Sequence, residues 1–332
     1  MGVILFQQSL IFNMLTFSSF FVAVLLGAIG SNAAPLIQER GIAPNLLGNF
    51  KLMEQYASAA YCSNNYDSTG DQIECSTGNC PLVQDADSTT VIEYSRENAM
   101  TDVTGFVAVD HTNKLVVVSF RGTHTIEDWR TNLDFGTTTT DICPGCTAHR
   151  GFWQSWLDAR DSVLPAVQQA ITAFPSYRIT VTGHSLGGAV ATLAAASMRT
   201  AGYNVALYNF GSPRIGGSKI SSYISNQRGG NFRVTHWNDP VPKMPLLTMG
   251  YVHISPEYYI NKPSRQPVSA GDIQTFAGAA NLFQGNQAWL IMDVEAHRWY
   301  FDMVYTCGAK KSKRGALEMR GVEGNMEVVT TF

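Results

Sequence analysis

The 332-residue sequence predicts an α/β protein with a mixed, mostly parallel central sheet covered by helices on both faces. Three observations carry that prediction. From residue 177 to 236, β-rich runs alternate with helical patterns, the signature of a parallel sheet wrapped by crossover helices. Earlier, "TGFVAVD" (104–110) and "KLVVVSF" (114–120) are separated only by His111-Thr112-Asn113, a hairpin signal that adds an antiparallel part. No Gly/Pro/Ser-rich linker divides residues 46–307, so one domain is expected there.

The elements follow in order. Phe17–Ile29, "FSSFFVAVLLGAI", has the length of a secretion-signal core and is too short for a comfortable bilayer span, which argues against a membrane anchor. Ser31-Asn32-Ala33 suits cleavage, giving a signal peptide over 1–33. No Lys or Arg precedes the run, and a start at Met14 would give a more ordinary signal. Residues 34–45 read as a short propeptide. Leu46–Tyr61 is an amphipathic helix, and 62–90 a polar, Cys-bearing loop region. Gly151–Phe174 carries Phe152, Trp156, Val163, Val167, Ile171 and Phe174 at helical spacing. Then come strand 177–183, helix 186–201, strand 204–210, helix 217–227 and strand 231–236. "GYVHISPEYYI" (250–260) is a further strand candidate, 261–296 is loop-like, and "HRWYFDMVY" (297–305) reads as a closing helix. From residue 308 the chain reads as a solvated tail containing Lys310, Lys311, Lys313 and Arg314.

Composition narrows the function. The chain is 45% hydrophobic and 15% charged with a net charge of −3, a globular composition that gives no general attraction for nucleic acid. Six cysteines fit an oxidising compartment and hence secretion. Cys75 with Cys80, and Cys143 with Cys146, can each close a small loop, leaving Cys62 and Cys307. Six cysteines nevertheless allow fifteen pairings. No second C-x-x-C or paired-histidine spacing supports a metal site, and no N-x-S/T sequon is present.

The chemistry centres on Gly183-His184-Ser185-Leu186-Gly187, a G-x-S-x-G. Alone the motif is weak. Here "RITVT" leads in as a strand and "LGGAVATLAAA" leads out as a helix, the context that lifts a serine hydroxyl above a sheet. A serine is a poor nucleophile until a base takes its proton and a third group orients that base. In this arrangement the acid and then the histidine follow in sequence. Asp239 comes directly after strand 231–236 in "WNDPVPKMP", fixed by Pro240 and Pro242; Glu257 and Asp272 are competing carboxylates. His297 is the histidine placed to project from a loop, whereas His253 lies in a strand pattern that favours a packed role. His184 must point away from its neighbour Ser185. Oxyanion donors are expected from the backbone N–H of Leu186 and from Thr123, which follows strand 114–120.

These stretches resemble the secreted filamentous-fungal lipases, the class 3 lipases of the α/β-hydrolase fold. The likeness rests on "DVTGFVAVDHTNKLVVVSFRGT", "TIEDWRTNLDF", "DICPGC", "YRITVTGHSLGGAVATLAA", "NFGSPRIG", "THWNDPVPKMP", "GYVHISPEYYI" and "AHRWYF", in order over about residues 50–307. It implies Ser185, Asp239 and His297 as a triad, with Thr123 and Leu186 as oxyanion donors. It also implies the disulfides Cys62–Cys307, Cys75–Cys80 and Cys143–Cys146, and no cofactor or metal.

In such lipases a short helical lid follows the oxyanion residue. Here Ile126, Trp129 and Leu133 make one apolar stripe; by the resemblance, Arg130 stands where many strongly lipophilic members carry an apolar residue, and its charge weakens the lipid-facing surface. The function implied is a secreted serine esterase that hydrolyses acylglycerols at an oil–water interface, as a triacylglycerol lipase does. A feruloyl or short-chain carboxylesterase on the same fold is the alternative, and a non-catalytic secreted binding protein a second. No nucleic-acid partner, stable membrane span or obligate protein partner is implied.

Overall fold

The computed structural model describes residues 38–95, 101–123, 135–278 and 283–308. Within these, nine strands form one sheet in the order β1 (Gln38–Arg40), β11 (Ile273–Phe276), β10 (Glu257–Ile260), β9 (Asn231–His236), β8 (Val205–Phe210), β7 (Arg178–His184), β4 (Leu115–Phe120), β3 (Thr104–Asp110) and β2 (Ser88–Ser95). The central run from β4 to β10 is parallel, and both flanks are antiparallel. A separate hairpin pairs β5 (Thr137–Thr139) with β6 (Thr147–His149).

The sheet is buried on both faces, and the apolar residues of its central strands feed a core on each side. In β4, Val116, Val118 and Phe120 enter one core while Leu115 and Val117 enter the other. One face is covered by α1 (Pro44–Ala59), followed by the short turn of α2 (Pro81–Gln84). The opposite face is covered by α3 (Arg150–Ala173) and α4 (Leu186–Thr200), whose small residues bury almost completely against β7 and β8. Further along lie α5 (Ser218–Asn226) and α6 (Val294–Arg298).

Five parts differ from the sequence reading. Ser88–Ser95, within and beyond the loop region expected over 62–90, is strand β2, paired antiparallel to β3 through a register shift between Thr90 and Ile92. Ile273–Phe276, inside the loop-like stretch 261–296, is strand β11. The candidate strand 250–260 reduces to β10; His253 lies in a loop, with Nε2 2.6 Å from the Pro242 carbonyl. The helix expected over 297–305 ends at Arg298, and the chain then doubles back through a Trp299–Met303 bridge. Part of the segment 34–45, Gln38–Arg40, is edge strand β1. The signal segment, the lid residues Ile126, Trp129, Arg130 and Leu133, and the tail from 309 onward lie outside the described residues. Among the described residues no helix is long and apolar enough to cross a membrane.

The disulfides are Cys62–Cys307, Cys75–Cys80 and Cys143–Cys146. Near the first of them, the carboxyl of Glu54 on α1 is fully buried and accepts a hydrogen bond from the Asp302 N–H at 3.2 Å. Burial raises its pKa from the ordinary 4.5 to about 8. Between those values Glu54 is protonated when folded and ionised when unfolded, so stability falls as pH rises, by up to about 1.4 kcal/mol per pH unit. Glu54→Gln removes that titration. Its stability relative to wild type, followed by urea unfolding from pH 4.5 to 8, is expected to climb across the window; a flat difference would contradict this.

Candidate active site

Ser185 sits where β7 gives way to α4, and its backbone is forced into an unusual conformation, φ 59° and ψ −130°. A non-glycine residue rarely adopts positive φ, and strain of this kind aims a side chain off the end of a strand. Two glycines permit the turn. A β-carbon at Gly183 would overlap the Gly187 backbone, and one at Gly187 would overlap the Phe120 carbonyl. The serine is tied to the neighbouring strand by its N–H, which donates to the Phe210 carbonyl at 2.9 Å. Leu186 begins α4, so its N–H is one of the first-turn donors that have no acceptor within the helix.

Asp239 and His297 are both fully buried, and His297 Nδ1 lies 2.9 and 2.8 Å from the two Asp239 carboxylate oxygens. The carboxylate accepts two further bonds, from the Val241 N–H at 2.8 Å and from the Tyr300 hydroxyl at 2.7 Å. Its loop is set by Trp237, which turns the chain at φ 39°, and by Asn286, whose amide donates to the Asp239 and Trp237 carbonyls. With Nδ1 donating to this carboxylate, Nε2 is the nitrogen left to accept a proton. Nε2 is buried and has no hydrogen-bond partner, so no bond to Ser185 is formed. Such contacts are often long in unliganded sites and tighten only around substrate.

Two buried histidines hold the short helix that carries His297. His184 Nε2 donates to the His297 carbonyl at 2.8 Å, which leaves Nδ1 to accept from the Tyr61 hydroxyl at 2.9 Å. His236 Nδ1 lies 2.8 Å from the Ala296 carbonyl. Burial, and for His184 the adjacent His297, pushes both imidazoles towards the neutral form. The ring of His184 lies 4.5 Å from that of His297. His184 thus points away from the serine, as the sequence requires, and it meets the other histidine from behind. The hydroxyl of Thr123, at the end of the segment after β4, is buried without a hydrogen-bond partner. A buried donor with nothing to bond costs free energy unless an acceptor arrives, which suits a group awaiting developing negative charge.

The competing residues are engaged elsewhere. Glu257 accepts from the Thr235 hydroxyl at 2.5 Å and pairs with Arg233 at 3.5 Å, while Asp272 caps a helical turn from Ser269 and pairs with Lys262. Tyr300, Tyr61 and Asn286 were not singled out by sequence reasoning; each acts through a contact between segments far apart in the chain. Among the described residues no group of three or more His, Cys, Asp or Glu side chains is placed to hold a metal ion.

A strained serine above a largely parallel sheet, with a carboxylate-held imidazole on later loops, is the architecture of an α/β hydrolase. Comparison with known proteins narrows this. A family model for lipase (class 3) matches residues 117–249. The chain is 43% identical over 292 residues to secreted mono- and diacylglycerol lipase A of Penicillium cyclopium, covering 86% of this chain and 95% of that protein. It is 38% identical over 301 residues to secreted mono- and diacylglycerol lipase 1 of Fusarium solani, covering 90% and 89%. The crystal structure of the mono- and diacylglycerol lipase from Aspergillus oryzae matches with a TM-score of 0.75 at 44% identity, covering 79% and 98%. The chain belongs to the class 3 lipase family.

Proposed function

We propose that the protein is a secreted lipase that hydrolyses acylglycerol esters through an acyl-enzyme on Ser185. His297 takes the serine proton as the hydroxyl attacks the ester carbonyl, then delivers it to the leaving alcohol. Asp239 holds the imidazole in the required tautomer and balances its transient charge. Thr123 and the Leu186 N–H receive the oxyanion, and water then releases the fatty acid. The observation that carries this reading is the buried Asp239–His297 pair, which would otherwise be an unexplained cost inside the core. Relatives bearing the name mono- and diacylglycerol lipase favour partial glycerides among the substrates.

A substrate panel tests the assignment: emulsified dioleoylglycerol and trioleoylglycerol, tributyrin on both sides of its solubility limit, and methyl ferulate. Turnover of the glycerides, with a rate increase once tributyrin forms a separate phase, is the expected outcome. Good ferulate turnover with no such increase would replace the lipase reading by a feruloyl esterase.

A further inference from the structure

Beside the acid loop lies an open cleft of about 480 Å³ between residues 240–248 and 287–292. Its rim is apolar and unusually exposed: Leu290 is 95% exposed, and Leu246 and Met292 are each 51% exposed. Large aliphatic side chains clustered in water at the edge of a cleft mark a surface that apolar matter covers.

Beneath that rim the lining carries two cations, Arg214 at 2% exposure and Lys243 at 9%. Arg214 donates to the carbonyls of Lys243 and Pro245, each at 2.6 Å, and to Gln287 Oε1 at 2.6 Å; its buried Nε has no partner. Lys243 donates to the Trp289 carbonyl. Neither forms an ion pair with a carboxylate among the described residues. The carboxylates whose fields reach them are Glu257 and Asp239, and both are committed, to Arg233 and to His297. Two neighbouring positive groups shielded from water without a counter-ion are costly, and each pushes against the other. Burial first, and then Arg214, draws the Lys243 ammonium below its ordinary pKa.

Positive charge under an aliphatic rim is complementary to an anion with a hydrocarbon chain. We propose that this cleft binds a long-chain fatty acid, its carboxylate drawn to Lys243 and Arg214 and its chain lying against Leu246, Leu290 and Met292. The inference rests on the proposed hydrolysis, which releases such an acid nearby: Pro240 lines the cleft and is the residue after Asp239. Neither Ser185 nor His297 lines the cleft, so it is a place for product apart from the reacting serine, and bound product would occupy the apolar rim.

The test uses the full chain with Ser185 blocked by a long-chain alkylphosphonate, so that the acyl pocket is filled. Calorimetric titration with sodium oleate below its micelle concentration is expected to show one saturable site. Losing one charge-assisted contact in Lys243→Gln should weaken oleate about tenfold or more, and uncharged oleyl alcohol should bind wild type weaker by a similar factor. Leu290→Asp, at a position that folding does not bury, should also weaken oleate and covers the case in which Lys243→Gln fails to fold. Equal affinity for oleate and alcohol, unchanged affinity in the variants, or no saturable binding would each overturn the proposal. Should the phosphonate fail to label Ser185, the catalytic reading fails on its own account, and the same titration on unlabelled protein still decides the cleft.

Discussion

Ser185→Ala is expected to lower kcat on tributyrin by about 10⁴-fold or more while leaving the fold intact, because no other group can form the acyl-enzyme. The alanine is smaller than serine, and the unusual backbone at this position is held by Gly183, Gly187 and the Phe210 carbonyl, none of which changes. Circular dichroism and thermal unfolding should therefore match wild type. The variant should also lose covalent labelling by an organophosphate. Turnover within about tenfold of wild type, measured on protein purified free of other esterases, would remove the serine from the mechanism.

Asp239→Asn is expected to cost a comparable factor, about 10⁴ in kcat, for a different reason. The carboxylate now takes Nδ1–H from His297 and also the Tyr300 hydroxyl. An asparagine in its place presents an NH₂ group as well as a carbonyl. If the amide nitrogen faces the imidazole, Nδ1 becomes an acceptor and the ring proton moves to Nε2, where it cannot remove a proton from serine. Size and shape are preserved, so affinity for substrate should change far less than kcat. A fall in substrate affinity with kcat retained would show that Asp239 organises the binding surface and does not hold the base.

Much of this was legible in the chain because local signals and tertiary demands agree. "RITVTGHSLGG" reads as strand, turn and helix, and β7, the Ser185 elbow and α4 follow it within a residue. Asp239 was readable because prolines stop the chain just after a strand. Where the reading departs from the structure, the deciding forces are mostly non-local. "STTVIEYS" holds β-branched Thr89, Thr90, Val91 and Ile92, a local strand signal hidden by the polar, Cys-bearing stretch before it, and pairing with β3 completes β2. "IQTF" is four residues long and is set by partners on both sides, β1 and β10. The aromatic run after His297 has helical spacing, yet Tyr300 is held towards Asp239 and Cys307 towards Cys62, which bends the chain away from a helix. The contact from His184 to the His297 carbonyl spans 113 positions, and nothing local announces it.

The link between Cys62 and Cys307 closes a loop spanning 245 positions, and closure of that length removes enough disorder from the unfolded chain to be worth about 5 kcal/mol. It also joins the two ends of the construction that backs the imidazole, since Tyr61 adjoins one cysteine and meets His184. An expression host with a reducing cytosol would therefore yield a chain whose first and last segments are no longer tethered. Such material should lose esterase activity at a lower temperature than oxidised protein, even where its far-ultraviolet spectrum is the same.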